Sequence, residues 1–311
     1  MKSLITPLVA ALLATFTTLA VAADPESCAN IKLGDIGWTD NAANNGLAAV
    51  VAEGLGYKVT KTTASVPIAM IGVKGGQLDA FLDYWSPALD TTVLPFKDAV
   101  DIQSEPNMVG AKETLAVPRY LYDAGLKTFN DLPKYKDQLG GRIYGIEVGS
   151  GANKLIAKMI ADNDYDTGGF KLVESSEAAM LVEVKRATSK KAPIVFVGWA
   201  PHPMNLENDM VYLSGGDKVF GPDYGAAKVH TVLSKHFESS CSNSAKLFKQ
   251  LRFTPEMEGT IMQSVMAKKD AVDASRAYLK QHSDVLPVWL NGVTTVDGKD
   301  GLAAVKQSLG L

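Results

Sequence analysis

Leu78-Asp79-Ala80-Phe81-Leu82-Asp83-Tyr84-Trp85 is the stretch whose reading decides the fold. Leu78 to Tyr84 is short, mostly apolar and bounded by Gly75-Gly76 upstream, which reads as a buried strand that ends on a tryptophan. Working back from it, Pro67 opens a helix through Ile68 and Ile71 that stops at Gly75-Gly76. Tyr57-Lys58-Val59-Thr60 is strand-like. Before it, Leu47, Val50 and Val51 form one face of a helix capped by Asn44 or Asn45, and Ile31-Lys32-Leu33 opens the first strand. Strand, helix, strand, helix, strand predicts an α/β layer built on a parallel sheet.

The same rhythm returns downstream. Arg142 to Val148 reads as a strand, Gly149-Ser150-Gly151-Ala152 as a turn, and a helix from about Asn153 carries Leu155, Ile156, Met159 and Ile160. Phe170 to Val173 is another strand. Ser176 begins a helix with Met180, Leu181 and Val184 on one face, and Pro193 to Val197 is an apolar strand. The chain after Cys241 reads as mostly helical. Two α/β units are therefore expected.

Composition bounds the rest. The chain has 311 residues, 46% hydrophobic and 21% charged, which excludes a disordered tail, a collagen-like fibre and a disulfide-dense miniprotein. A net charge of −3 with no basic run argues against nucleic acid as a partner. Residues 1–22 carry one charge, Lys2, on an apolar, threonine-softened run that ends in Ala20-Val21-Ala22. This predicts a signal peptide cleaved before Ala23 and an exported protein. Pro25-Glu26-Ser27 before Cys28 rejects lipidation. In an oxidising compartment the only two cysteines, Cys28 and Cys241, are expected to pair, with two buried free thiols as the alternative. A pair would tie both ends of the chain into lobe 1, residues 23–111 and 209–311, with lobe 2, residues 112–208, inserted. Two crossings leave a cleft between the lobes.

Three of the four tryptophans sit at ends of expected strands: Trp38, Trp85 and Trp199. In open α/β sheets ligands bind beyond the carboxyl ends of strands, so the three can converge on the cleft. Several indole faces suit a cation without N–H donors, each face contributing about 2 kcal/mol when desolvated. Three faces give about 6 kcal/mol, short of the ~8 kcal/mol of micromolar binding, so a second interaction is needed at the polar end of the ligand. Asp40, Asn153 and the backbone amides of Gly149–Asn153 are the candidates. Trp289 is assigned to packing.

Gly37-Trp38-Thr39-Asp40, Asp83-Tyr84-Trp85-Ser86-Pro87, Tyr144-Gly145-Ile146-Glu147, Val173-Glu174-Ser175-Ser176-Glu177 and Gly198-Trp199-Ala200-Pro201-His202-Pro203-Met204-Asn205 together carry a resemblance. The chain resembles the periplasmic binding proteins of quaternary-ammonium ABC importers, especially the choline-binding type and its glycine betaine and carnitine relatives. The resemblance implies a two-lobed α/β fold of the type II, Venus-flytrap kind, with a hinge and an interlobe cleft. It implies box roles for Trp38, Trp85 and Trp199, a polar-end role for Asp40 and Asn153, and a disulfide like the family's between Cys28 and Cys241. It also implies a membrane permease and its ATPase as partners; a monomer without a cofactor is expected, and the lack of metal-ligand neighbours of the cysteines at CxxC or CxxH spacing argues against a metal. One departure stands out. Where choline binders of this type resemble a tyrosine wall, in Gly110-Ala111-Lys112-Glu113-Thr114-Leu115-Ala116, this chain has Glu113. Glu113 then faces the cation as a charge, or Tyr120 or Tyr122 supplies the aromatic wall, or Glu113 is an exposed hinge residue. The expected ligand is choline, with glycine betaine, carnitine and trimethylamine N-oxide as alternatives. An exported choline-ester hydrolase is the alternative of another class.

Other features yield nothing. Asp162 to Gly168 resembles a calcium loop but has Thr167 and Val173 where glycine and glutamate are needed. His202, between two prolines, is read as shaping the loop behind Trp199. Glu174 and Glu177 are read as capping a helix start.

Overall fold

A computed structural model describes residues 24–311, and the expected signal peptide over 1–22 lies outside the described residues. Ten strands form one sheet. They are β1 (Asn30–Asp35), β2 (Lys58–Thr63), β3 (Ala80–Ser86), β4 (Val100–Ile102), β5 (Met108–Pro118), β6 (Arg142–Glu147), β7 (Lys171–Ser175), β8 (Phe196–Ala200), β9 (Met210–Tyr212) and β10 (Ala226–Ser234). The order is β2-β1-β3-β10-β5-β8-β6-β7, with β4 beside β10 and β9 beside β5. Two parallel trios stand at the ends: β1 is parallel to β2 and β3, and β6 to β7 and β8. The long strands β5 and β10 run antiparallel between them. β5 pairs with β10 up to Lys112, and from Lys112 onward with β8 and then β9. One continuous strand thus passes from one trio's side to the other's.

The α/β expectation holds, with shifted edges. β3 covers Ala80–Ser86 and β8 covers Phe196–Ala200, so Trp85 and Trp199 lie inside the last residues of their strands, not beyond them. Five of the six residues Ala80–Trp85 are apolar and all six are buried, as a strand covered on both faces requires. The first helix, α1, runs Thr39–Gly54 with Trp38 as its N-cap, six residues earlier than an Asn44 cap would give. Asn41, Asn44 and Asn45 are instead interior, because α1 is sandwiched between the sheet and the helices Pro255–Met266 and Ala271–Gln281. Two of them tie the helix to β1. Asn41 Oδ1 accepts from the Ile36 amide at 3.1 Å, and Asn45 Nδ2 donates to the Gly34 carbonyl at 3.0 Å.

Cys28 and Cys241 form a disulfide with Cα atoms 5.6 Å apart, across a separation of 213 residues. Beside it, the Asp24 carboxylate accepts from the amides of Asn243 and Ser244, both at 2.8 Å, at the start of the helix Ser242–Gln250. A carboxylate there meets unpaired N–H groups and the positive end of the helix dipole. Trp289 is buried against Phe253, edge to face at 6.0 Å, in the packing role expected of it. Among the described residues no helix is long and apolar enough to cross a membrane.

Candidate functional site

Trp38, Asp40, Trp85, Glu113 and Trp199 line one small cavity, closed by Ala88, Leu89, Ile146 and Gly151. Each element delivers its residue for a local reason. Trp38 and Asp40 come from the first turn of α1, which starts three residues after β1. Trp85 comes from the end of β3. Glu113 and Trp199 are direct cross-strand partners of β5 and β8, and such partners project from the same face of a sheet. Gly151 is required where it stands: a Cβ would lie 2.4 Å from the carbonyl oxygen of Ala88. The helix Gly151–Ala161 can approach β3's following loop this closely only without a side chain.

The structure brings five of the six expected ligand residues together and leaves Asn153 out. Asn153 is buried behind the turn with its amide group fully engaged. Its Oδ1 accepts from the Ile146 amide at 2.9 Å. Its Nδ2 donates to the carbonyls of Ile146 (2.9 Å) and Glu147 (3.0 Å) and to Glu174 Oε1 (3.1 Å). Both faces of the amide are thus engaged within the turn, where they fasten the end of β6. Tyr120 and Tyr122 do not line the cavity either. The Tyr120 hydroxyl donates to the Ala192 carbonyl, and the Tyr122 ring faces Lys127.

The electrostatics are one-sided. No lysine, arginine or histidine is among the residues lining the cavity. Lys112, next to Glu113 in sequence, instead lies over the rings of Tyr212 and Tyr224. Burial pushes the Glu113 carboxyl up to about 7. The residue is half-buried as a whole, but its Oε1 is sealed and has no hydrogen-bond partner. Burial also raises Asp40 well above the usual carboxylate range, helped by repulsion from Asp83 and Glu177. Asp83 is raised by burial and by Glu258 beside it, and Glu258, on the helix Pro255–Met266, by burial and by Asp40. Asp83 Oδ2, both Glu258 oxygens and Trp199 Nε1 are sealed without partners among the described residues. Carboxyl groups held this way resist ionisation until a positive charge arrives.

Sequence reading left three contributors without a role. Asp83 accepts the Trp85 ring N–H at 2.9 Å, and Glu147 accepts the Trp38 ring N–H at 2.7 Å. Asp83 was legible in principle, because two residues apart on a strand share a face. Glu147 and Glu258 arrive from distant segments, and no local spacing announces them. Capping does not account for Glu177: Ser176 caps its own helix, while Glu177 accepts the Thr39 amide at 2.9 Å and the Thr39 hydroxyl. Nor does Glu174 cap; it takes the Asn153 amide. His202 does lie behind Trp199, with ring centroids 4.7 Å apart. Its Nδ1 accepts from the Met204 amide, so the ring proton is on Nε2 and faces Glu177 Oε1 at 3.2 Å.

Three indoles around a space lined by carboxyl groups have the chemistry that suits a small organic cation. The profile of the family described as the substrate-binding domain of ABC-type glycine betaine transport systems, OpuAC, matches residues 29–281, and the chain belongs to that family. It is similar to the solved ABC-transporter choline-binding protein in complex with choline: 42% identity, 92% of this chain and 100% of that one, TM-score 0.89. Against the unliganded, semi-closed conformation of an ABC-transporter choline-binding protein, at the same identity and coverage, the TM-score is 0.83. The glycine betaine/carnitine transport binding protein GbuC of Listeria monocytogenes is 29% identical over 164 residues, 53% of this chain and 54% of that one. The chain is thus a member of a substrate-binding family with the two-lobed periplasmic-binding-protein fold, and the relatives named above are transport binding proteins.

Proposed function

We propose that the mature chain is the periplasmic receptor of an ABC importer, and that it captures a quaternary ammonium cation, choline first, and hands it to the membrane permease and its ATPase. The observation that carries this is the lining of the cavity: Trp38, Trp85 and Trp199 around Asp40 and Glu113, with no cationic side chain. A trimethylammonium group has no N–H to donate and is held by π-faces and charge, which these walls supply. The two lining carboxyl groups favour choline over glycine betaine, because a ligand carboxylate placed beside Asp40 and Glu113 would be repelled. The similarity to a choline-bound relative supports the same order. GbuC, whose name specifies glycine betaine and carnitine, keeps those two ligands as the second reading.

The site residues proposed are Trp38, Asp40, Trp85, Glu113 and Trp199, with Asn153 in a supporting place. We also propose that residues 23–111 and 209–311 form lobe 1 and 112–208 form lobe 2, closing on the ligand by a hinge. The change of β5's partners at Lys112 supports the first boundary. The expected signal peptide supports export to the periplasm, and the protein is proposed to act as a monomer. A thermal-shift panel of choline, glycine betaine, carnitine and trimethylamine N-oxide tests the ligand order. Choline should raise the melting temperature most; a larger shift with glycine betaine overturns the order, and no shift with any of the four overturns the class.

A further inference from the structure

We infer that Glu147 is the positioning residue of the cage, setting the Trp38 wall from the far end of the sheet and lending it negative charge. The inference rests on the reading that the cavity takes a quaternary ammonium cation. Trp38 is the N-cap of α1, beside the β2-β1-β3 trio. Its only polar atom, Nε1, donates to Glu147 Oε2 at 2.7 Å, and Glu147 is the last residue of β6, in the opposite trio. The other oxygen, Oε1, accepts the Glu177 amide at 2.9 Å. Both oxygens are thus committed, which fixes where the carboxylate points.

The three walls differ in this respect. Trp85 gives its ring N–H to Asp83 of its own strand, so that wall is set within β3. Trp199 Nε1 has no partner among the described residues. Only Trp38 takes its orientation from a residue across the cavity. A second contact reinforces the first: Glu177 holds Thr39, the residue after Trp38, through its amide at 2.9 Å and its hydroxyl, with His202 behind it. Negative groups at the first turn of α1 also suit the helix dipole. The chemical consequence follows from polarisation. An indole whose N–H is given to an anion carries more negative charge on its faces, and hydrogen-bonded groups in a dry interior polarise one another. The face that meets the cation is strengthened by an anion that never touches it.

The test uses the mature chain and its Glu147→Gln and Glu147→Leu variants. Calorimetry measures choline and its neutral carbon isostere, 3,3-dimethylbutan-1-ol, the latter at millimolar concentration. Glutamine keeps an acceptor for the ring but not the charge. Choline affinity should fall about tenfold in Glu147→Gln while the isostere stays within about twofold. Leucine removes the acceptor, so both ligands should weaken, choline by more than about thirtyfold. Unfolding temperatures establish that the variants are folded. Choline binding within about threefold of the parent in folded Glu147→Leu overturns the positioning role. An equal loss of choline and isostere in Glu147→Gln overturns the charge role. A parent that binds neither choline nor any other quaternary ammonium compound overturns the underlying reading instead.

Discussion

Acidifying the medium should loosen the ligand, and Glu113 sets where this happens. Its carboxyl, raised to about 7 by burial, is half protonated at neutral pH in the empty cavity. A cation about 4 Å away, at an effective dielectric constant of ~20, attracts the ionised form by about 4 kcal/mol. At about 1.36 kcal/mol per pH unit this moves the group down by about three units when the ligand is bound. Between the bound and empty values, affinity falls about tenfold for each unit of acidification. From pH 8 to pH 5 the loss is about 80-fold, and at pH 7 binding expels about half a proton. The groups that face Glu113 work in the same direction: Asp40 in the cavity and Asp83 behind it are carboxyls raised by burial, and no cation offsets them there. Calorimetry in two buffers of different ionisation heat counts the expelled protons, and a pH series gives the slope. Glu113→Gln should remove the step near neutrality and leave the part due to Asp40. The reasoning is refuted if the parent binds choline equally from pH 5 to pH 8, or if Glu113→Gln leaves the profile unchanged.

Four further outcomes are expected. Trp85→Ala and Trp199→Ala should each weaken choline more than about tenfold by calorimetry, since a desolvated indole face contributes about 2 kcal/mol. In the empty protein the folded state holds the Glu113 proton up to about 7, while the unfolded chain releases it near the ordinary glutamate value. Stability should therefore fall as pH rises through that window, and ligand-free Glu113→Gln should melt above the parent at pH 8. Cys28→Ser should lower stability, by about 5 kcal/mol on the chain-entropy account of so long a loop, read from denaturant unfolding. Asn153→Ala should reduce the melting temperature of the ligand-free protein, because the end of β6 loses its fasteners; a variant that melts like the parent and loses only affinity would return Asn153 to the ligand.

The sequence made legible what local periodicity controls. The buried run at β3, the βαβ order and the placement of three tryptophans near strand ends all follow from patterns within a dozen residues. Boundaries were blurred where local preference met tertiary packing. Asn44 and Asn45 have the chemistry of helix caps, but α1 is covered on nearly every side, and Asn45 instead donates to the Gly34 carbonyl of β1 from inside. Asn153 shows a related effect: an amide at the start of a helix beside a glycine turn looks available in sequence, yet four hydrogen bonds already use it. Glu113 was noticed as a departure from a family pattern, but only its register opposite Trp199 puts it in the cavity. Glu147, Glu177 and Glu258 reach the site from distant segments, and single-chain spacing carries no information about such meetings.

That distribution of carboxyl groups explains more of the ligand class than the tryptophans do. Indole walls alone accept any flat or rounded apolar group, charged or not. Here two of the three ring N–H groups go to carboxyl groups, two more carboxyl groups line the space, and Glu258 stands behind them without a partner among the described residues. Buried carboxyl groups without cations destabilise the empty protein at neutral pH, and a packed apolar core would avoid that cost. The arrangement makes sense only if a positive charge completes it. A lysine or arginine would do so permanently and close the site. A small cation without N–H donors does so reversibly, and its arrival favours the ionised carboxylates, strengthens the indole faces and holds the two ends of the sheet together at once. Selectivity for a cation and the penalty for an empty cavity are the same free energy seen from two states.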